Sequence, residues 1–161
     1  MKTYKKLLIG ALFAVLTLST PSNASYDSTP IIDDLEERAQ EIDQLYTRLI
    51  AYETWQDLAE FLSTSANINV LGPKDWRKII SRYMTNLNID VVTYLLSRQN
   101  IKEILATKVS VYKYLLMVAA TINRLRLFLP IILNSAPEAT HESLQRYADQ
   151  IMPVIAIVYS C

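Results

Sequence analysis

One cysteine, one histidine and two glycines occur in 161 residues, and each scarcity removes a class of protein. A lone Cys161 permits no intrachain disulfide, so stability has to come from packing. Gly10 and Gly72 are too few for the repeated tight turns of an antiparallel β fold. They are also too few for a glycine-rich phosphate loop, and no G-x-S-x-G elbow is present. Glu138 and His141 stand three apart, the spacing used in di-iron bundles, but those need a second histidine. A thiol nucleophile needs a base within reach and a pocket for substrate, and Cys161, last in the sequence beside a carboxylate, suits neither requirement. The sequence therefore points to no enzyme, no metal site and no cofactor.

What is present begins with export. Lys2, Lys5 and Lys6 precede a twelve-residue apolar run over 7–18, followed by small and polar residues. This is the layout of a secretory signal peptide, with Ser22 and Ala24 placing the cut after residue 24. The run is shorter than the roughly 20 residues of a membrane span. The expected mature chain, residues 25–161, is one α-helical domain, exported to the periplasm or the medium. Its 137 residues suffice for one core that buries roughly 65–70% of the unfolded surface.

Formal charge is zero over the whole chain, yet it is strongly sorted. Residues 25–73 hold ten acids and two bases, residues 74–137 ten bases and three acids, and residues 138–161 three acids and one base. Either an acidic helix covers basic ones, or a basic face stays open for an anionic partner.

Hydrophobic spacing is helical throughout. Apolar residues step by three and four from Leu35 through Ala39, Ile42, Tyr46, Leu49, Tyr52, Trp55 and Ala59 to Leu62, which predicts one helix over 30–62 with Thr29 as its cap. A loop is expected over 63–72, where Ser, Asn, Gly and Pro cluster. A helix over 73–86 then turns Trp76, Ile79, Ile80, Tyr83, Met84 and Leu87 inward, and a short one follows over 89–98. A long helix over 101–133 is kinked or ended by Pro130, and a last helix from about 140 is bent or stopped by Pro153. The fold predicted is an all-α, single-domain bundle of four to five helices.

Several stretches invite a functional reading. Glu53, Asp57 and Glu60 share a helix face, the wet side of an amphipathic helix being the simpler reading than paired acid and base. Arg77, Lys78 and Arg82, together with Lys74, recur at helical spacing beside Trp76 and Tyr83. On an exported, net-acidic chain this basic row suits an anionic membrane surface or an acidic protein patch better than nucleic acid. The tail after Pro153 is aliphatic, and it ends with Tyr159 and the unpaired Cys161. Such a cysteine in an exported protein suggests self-association or a partner joined by an intermolecular disulfide. Trp76, Arg77, Lys78, Arg82, Tyr159 and Cys161 are thus the candidate interaction residues. The function expected is that of a non-catalytic accessory or adaptor protein of the bacterial cell envelope. The alternative is a carrier enclosing an apolar ligand among Leu116, Met117, Ile122, Phe128 and Ile132.

Overall fold

A computed structural model describes residues 29–64 and 66–158, with side chains described over 34–64 and 68–152, and all regular structure among them is helical. Among the described residues there are eight α-helices, not the four to five expected: α1 (Thr29–Leu49), α2 (Trp55–Thr64), α3 (Pro73–Thr85), α4 (Ile89–Ser97), α5 (Gln99–Ala106), α6 (Val109–Thr121), α7 (Leu125–Ser135) and α8 (His141–Val158). Short 3-10 helices at Ala66–Val70 and Glu138–Thr140 join α2 to α3 and α7 to α8. Among the described residues, those up to Leu35 and those from Glu36 onward belong to separate units, and the core lies in the second. The signal sequence expected over 1–24 falls outside the described residues.

Helix α6 is apolar on most of its circumference and packs against α3, α5, α7 and α8. Val111, Tyr112, Leu115, Leu116, Ala119 and Ala120 are buried, two adjacent rows rather than one stripe. Full burial of side chains such as Leu115 and Leu116 stabilises by about 1.5–3 kcal/mol each. From α3 come Trp76, Ile79, Ile80, Tyr83 and Met84, all buried. From α7 come Phe128 and Ile132, and from α8 Leu144 and Ala148. Leu87, expected in this core, is instead 46% exposed, because it lies past the end of α3.

Two helix ends explain how so few glycines suffice. At the end of α3, Leu87 takes φ 57°, its N–H donates to Met84 O at 3.0 Å, and Asn88 N–H donates to Tyr83 O at 3.0 Å. At the end of α6, Asn123 takes φ 56°, with Asn123 N–H to Ala120 O at 2.8 Å and Arg124 N–H to Ala119 O at 2.7 Å. Both are Schellman closures, whose left-handed residue is commonly glycine. Here leucine and asparagine stand in that place.

The helix expected over 30–62 is broken at residues 50–54. Thr54 ends the break: its Oγ1 accepts from the Asp57 N–H at 3.2 Å and donates to Asp57 Oδ2 at 2.5 Å, a capping pair that starts α2. The apolar steps of three ran across the break by coincidence of register, and Trp55 ends 41% exposed, stacked on Tyr94 at 5.6 Å. The helix expected over 101–133 is three helices. Lys108, extended at φ −143° and ψ 94°, separates α5 from α6, which meet at 105°, and Asn123 separates α6 from α7.

Neither Pro130 nor Pro153 ends its helix. Pro130 lies inside α7, which continues to Ser135, and both Pro130 and Arg126, whose carbonyl loses its donor, are exposed so that water can take the bond. Helix α8 likewise continues past Pro153 to Val158. No single helix among the described residues is long and apolar enough to cross a membrane.

Two buried tyrosines hold the periphery to this core. The Tyr83 hydroxyl donates to the Leu49 carbonyl at the end of α1 and, at 3.0 Å, to the Tyr52 carbonyl in the break. The Tyr112 hydroxyl donates to Ser135 O at 3.3 Å, at the end of α7. Burial pushes the Tyr83 phenol up to about 12, with Tyr52 adding to the shift, and burial pushes Tyr112 up to about 12 as well. The ordinary tyrosine value is about 10, so between pH 10 and 12 the unfolded chain releases protons that the folded chain keeps. Their contribution is therefore complete below pH 10 and lost as pH rises through 12. Urea unfolding across pH 8 to 12 is expected to show stability falling above pH 10. Removing the Tyr83 hydroxyl as Tyr83→Phe is expected to flatten that slope while costing about 1–3 kcal/mol at pH 8, because two carbonyls lose their donor.

Replacing Leu87 by glycine relieves the left-handed backbone. Leu87→Gly is expected to raise stability by about 0.5–1 kcal/mol, read as a higher denaturation midpoint at unchanged m-value. A fall would mean that contacts of the leucine side chain outweigh the backbone term.

Candidate functional site

The sequence-predicted basic row is placed by the start of α3. Pro73 occupies the first helical position after Gly72, whose N–H donates to Asp75 Oδ2 at 3.0 Å, so the register of the helix is fixed at its entry. With Trp76, Ile79, Ile80 and Tyr83 inward, helical periodicity turns Lys74, Lys78 and Arg82 outward, where all three are exposed. None of the three has an ion-pair partner among the described residues.

Trp76 and Arg77 take other positions. Trp76 is 1% exposed, a core residue whose indole Nε1 is buried without an acceptor, and so it does not reach the surface. Arg77 is half-buried and lays its guanidinium 4.3 Å from the centroid of the Tyr114 ring on α6, with its Nε buried and unpartnered. A cation held over a ring in this way is worth about 0.5–2 kcal/mol, and it pins α3 to α6. Three residues along α6 from Tyr114, Met117 is 44% exposed. Arg77 and Tyr114 are thus joined across α3 and α6, and Met117 is a separate exposed apolar residue of α6. Tyr159 and Cys161 lie outside the described residues, as does any disulfide through Cys161.

The described acids near the start of α1 face solvent. On α1, residues 36–40, including Glu36 and Glu37, are exposed. The apolar stripe of α1 changes environment along its length: Leu49 and Leu45 are buried, Tyr46 and Ile42 are half-buried against the core, and Ala39 and Leu35 are exposed, Leu35 by 63%. The exposed leucine at its far end was legible as part of a stripe, but its lack of a partner was not.

Other candidates have plainer roles. Glu53, Asp57 and Glu60 are exposed and edge a surface cavity of about 590 Å³ with Tyr52 and Phe61, whose rings lie 5.3 Å apart. Asp57 is already engaged as the cap partner of Thr54. His141 Nε2 lies 3.0 Å from Ala136 O, bracing the turn before α8. Among the described residues no three of His, Cys, Asp and Glu gather as metal ligands. Leu116, Phe128 and Ile132, the expected lining of a ligand cavity, are completely buried in the continuous core.

One feature had no signal in hydrophobic spacing. Trp55, Tyr94 and Arg98 stack in series across α2 and α4, with Arg98 5.7 Å from the Tyr94 centroid and its Nη1 donating to the Tyr94 hydroxyl at 3.1 Å. The Tyr94 and Arg98 spacing, four apart at the C-terminal end of α4, is the signal that could have found the second half of it. Compared with protein-family models, with curated proteins and with solved structures, the chain matches none.

Proposed function

We propose that the protein is an exported, non-catalytic interaction protein, an accessory or adaptor subunit of a bacterial cell-envelope assembly acting through helix-mediated contacts. The observation that carries this reading is the apolar stripe of α1, half-buried at Ile42 and exposed at Ala39 and, by 63%, at Leu35. A helix in a protein gains most of its stability from packing its apolar face rather than from propensity, so an exposed stretch of such a face is suited to a contact. The exposed basic row of α3, without an ion-pair partner among the described residues, supports the same reading, since such charge is suited to selecting an acidic partner. Export rests on the lysine-flanked apolar run at the start of the sequence.

Installing a photo-crosslinking side chain at Leu35 or Ala39 and irradiating intact cells is expected to yield a protein adduct. The same chemistry at Thr93, exposed on α4, serves as the background control. Recovery of only the uncrosslinked chain from both α1 positions would end this reading. The intact mass of the protein from its native compartment, thiols blocked before lysis, is expected to begin at Ser25. A mass that retains residues 1–24 would remove the export part alone.

A further inference from the structure

Helix α7 departs from the pattern of a surface helix on its outward side. Leu125, Phe128, Ile132 and Ser135 are buried, so helical periodicity turns Arg126, Leu127, Pro130, Leu133 and Asn134 away from the core. Four of these five are exposed, Leu127 by 38%, and Leu133 is half-buried. An outward face is ordinarily charged and polar, yet here three of the five residues are apolar and Arg126 alone is charged. The charge at the entry of the helix also goes against the rule. Arg124 and Arg126 stand at the N-terminal end of α7, where the helix dipole disfavours cations, with no acid in the first turn and no side-chain cap. Arg124 Nη1 donates to the Asn123 carbonyl at 3.2 Å, and neither arginine has an ion-pair partner among the described residues. Residues 104–137 contain Lys108, Lys113, Arg124 and Arg126 and no acid.

From this juxtaposition we infer that the outward face of α7 docks on an anionic lipid surface, with α7 lying in the plane of the headgroups. The contact is separate from α1 and goes beyond the interaction reading above. Charge complementarity sets the sign of the occupant. Two arginines at a helix N-terminus are relieved by lipid phosphates, which accept from the guanidinium groups and from the first N–H groups of the helix. Leu127, Pro130 and Leu133 then enter the boundary between headgroups and acyl chains, as the apolar face of an interfacial helix does. A protein of acidic surface fits this face less well. Protein interfaces draw much of their energy from aromatic anchors, with leucine under-represented, and no aromatic residue lies on the outward side of α7. Pro130 fixes the depth: it leaves the Arg126 carbonyl without its helical donor, so that group needs water. The eleven residues of α7 also span only about 16 Å, roughly half of a hydrocarbon core, so the helix lies on the surface and does not cross.

The test is co-sedimentation of the protein, purified from its native compartment, with vesicles of phosphatidylcholine alone or with about 30% phosphatidylglycerol. Binding is expected to be at least about tenfold tighter with phosphatidylglycerol, and to weaken more than about fivefold between 0.05 and 0.5 M NaCl. Arg124→Gln with Arg126→Gln is expected to weaken it at least about tenfold, since each basic residue near an anionic surface contributes roughly fivefold. Leu127→Ser is expected to weaken it about threefold or more. Circular dichroism of each variant is expected to match the parent, because all three positions are exposed. Without lipid, the unfolding midpoint of the double arginine variant is expected to equal or exceed the parent's, because two charges leave a helix N-terminus.

Equal binding to the two kinds of vesicle overturns the inference, as does binding that the α7 substitutions leave unchanged. Loss of binding through Lys78→Gln with Arg82→Gln, while the α7 variants keep the parent's affinity, overturns it in favour of the basic row of α3. A chain that ignores vesicles but crosslinks from position 127 to a protein in cells overturns it too, and would make this face a protein contact. The vesicles contain no protein partner, so these outcomes are separate from the α1 crosslinks that test the interaction reading.

Discussion

Burial of α6 sets the terms for the other helices. With one cysteine and, beyond residue 24, one glycine, the chain has neither a covalent staple nor many flexible corners, so a helix with two buried rows must be enclosed by its neighbours. α3, α7 and α8 provide most of that enclosure, and Ala119 and Ala120 at the C-terminal end of α6 let backbones approach closely. Short helices suit the task better than long ones. A bend of 105° between α5 and α6 lets consecutive segments turn around one centre, where a straight helix over 101–133 would carry its apolar residues past it.

Tyr83 extends that core outward. Its ring is buried with α3, while its hydroxyl supplies the donor for two carbonyls in the region where α1 ends and the chain breaks before α2. A carbonyl at a helix end has no intrahelical donor, and burying it unsatisfied costs about 1–3 kcal/mol. Asn88 ties the same break from the other side, its Nδ2 donating to Glu53 O at 2.7 Å while its Oδ1 accepts from the Val91 N–H at 3.2 Å to begin α4. The last turn of α1 is therefore fixed by polar contacts from α3 and from the turn before α4. Its first turns carry no comparable tie among the described residues.

Much of this was legible in the residues. The all-α class follows from periodicity and glycine scarcity, and α3 and α4 are where Pro73 and the Asn86–Asn88 signals put them. The breaks were harder, for physical reasons. At Thr54 the capping pair T-W-Q-D was readable, but an apolar stripe stepping by three continued across it and outweighed a local signal worth only about 1 kcal/mol. Asn123 is an acceptable left-handed residue and was a readable stop, whereas Leu87 is not one that propensity would choose. Lys108 itself carries no breaker chemistry, so the corner between α5 and α6 had no signal at the residue that turns it. In the candidate site the basic row was legible, and the separation of Trp76 from it followed from its inward register. The Arg77 to Tyr114 contact joins residues far apart in sequence, which no local pattern reveals.

The unequal treatment of α1 is the feature that most constrains function. A helix needed only to close the core could end its apolar stripe where the core ends, near Ile42, and carry polar residues beyond it at no cost in stability. This sequence keeps Leu35 and Ala39 in register beyond that point and surrounds them with Asp34, Glu36, Glu37 and Arg38, all exposed. Exposed single apolar residues are common and need no explanation, but a stripe in continuous helical register with a buried one is a surface already shaped for packing. Docking a partner on a helix that is already formed loses less conformational freedom than folding a disordered segment on contact would.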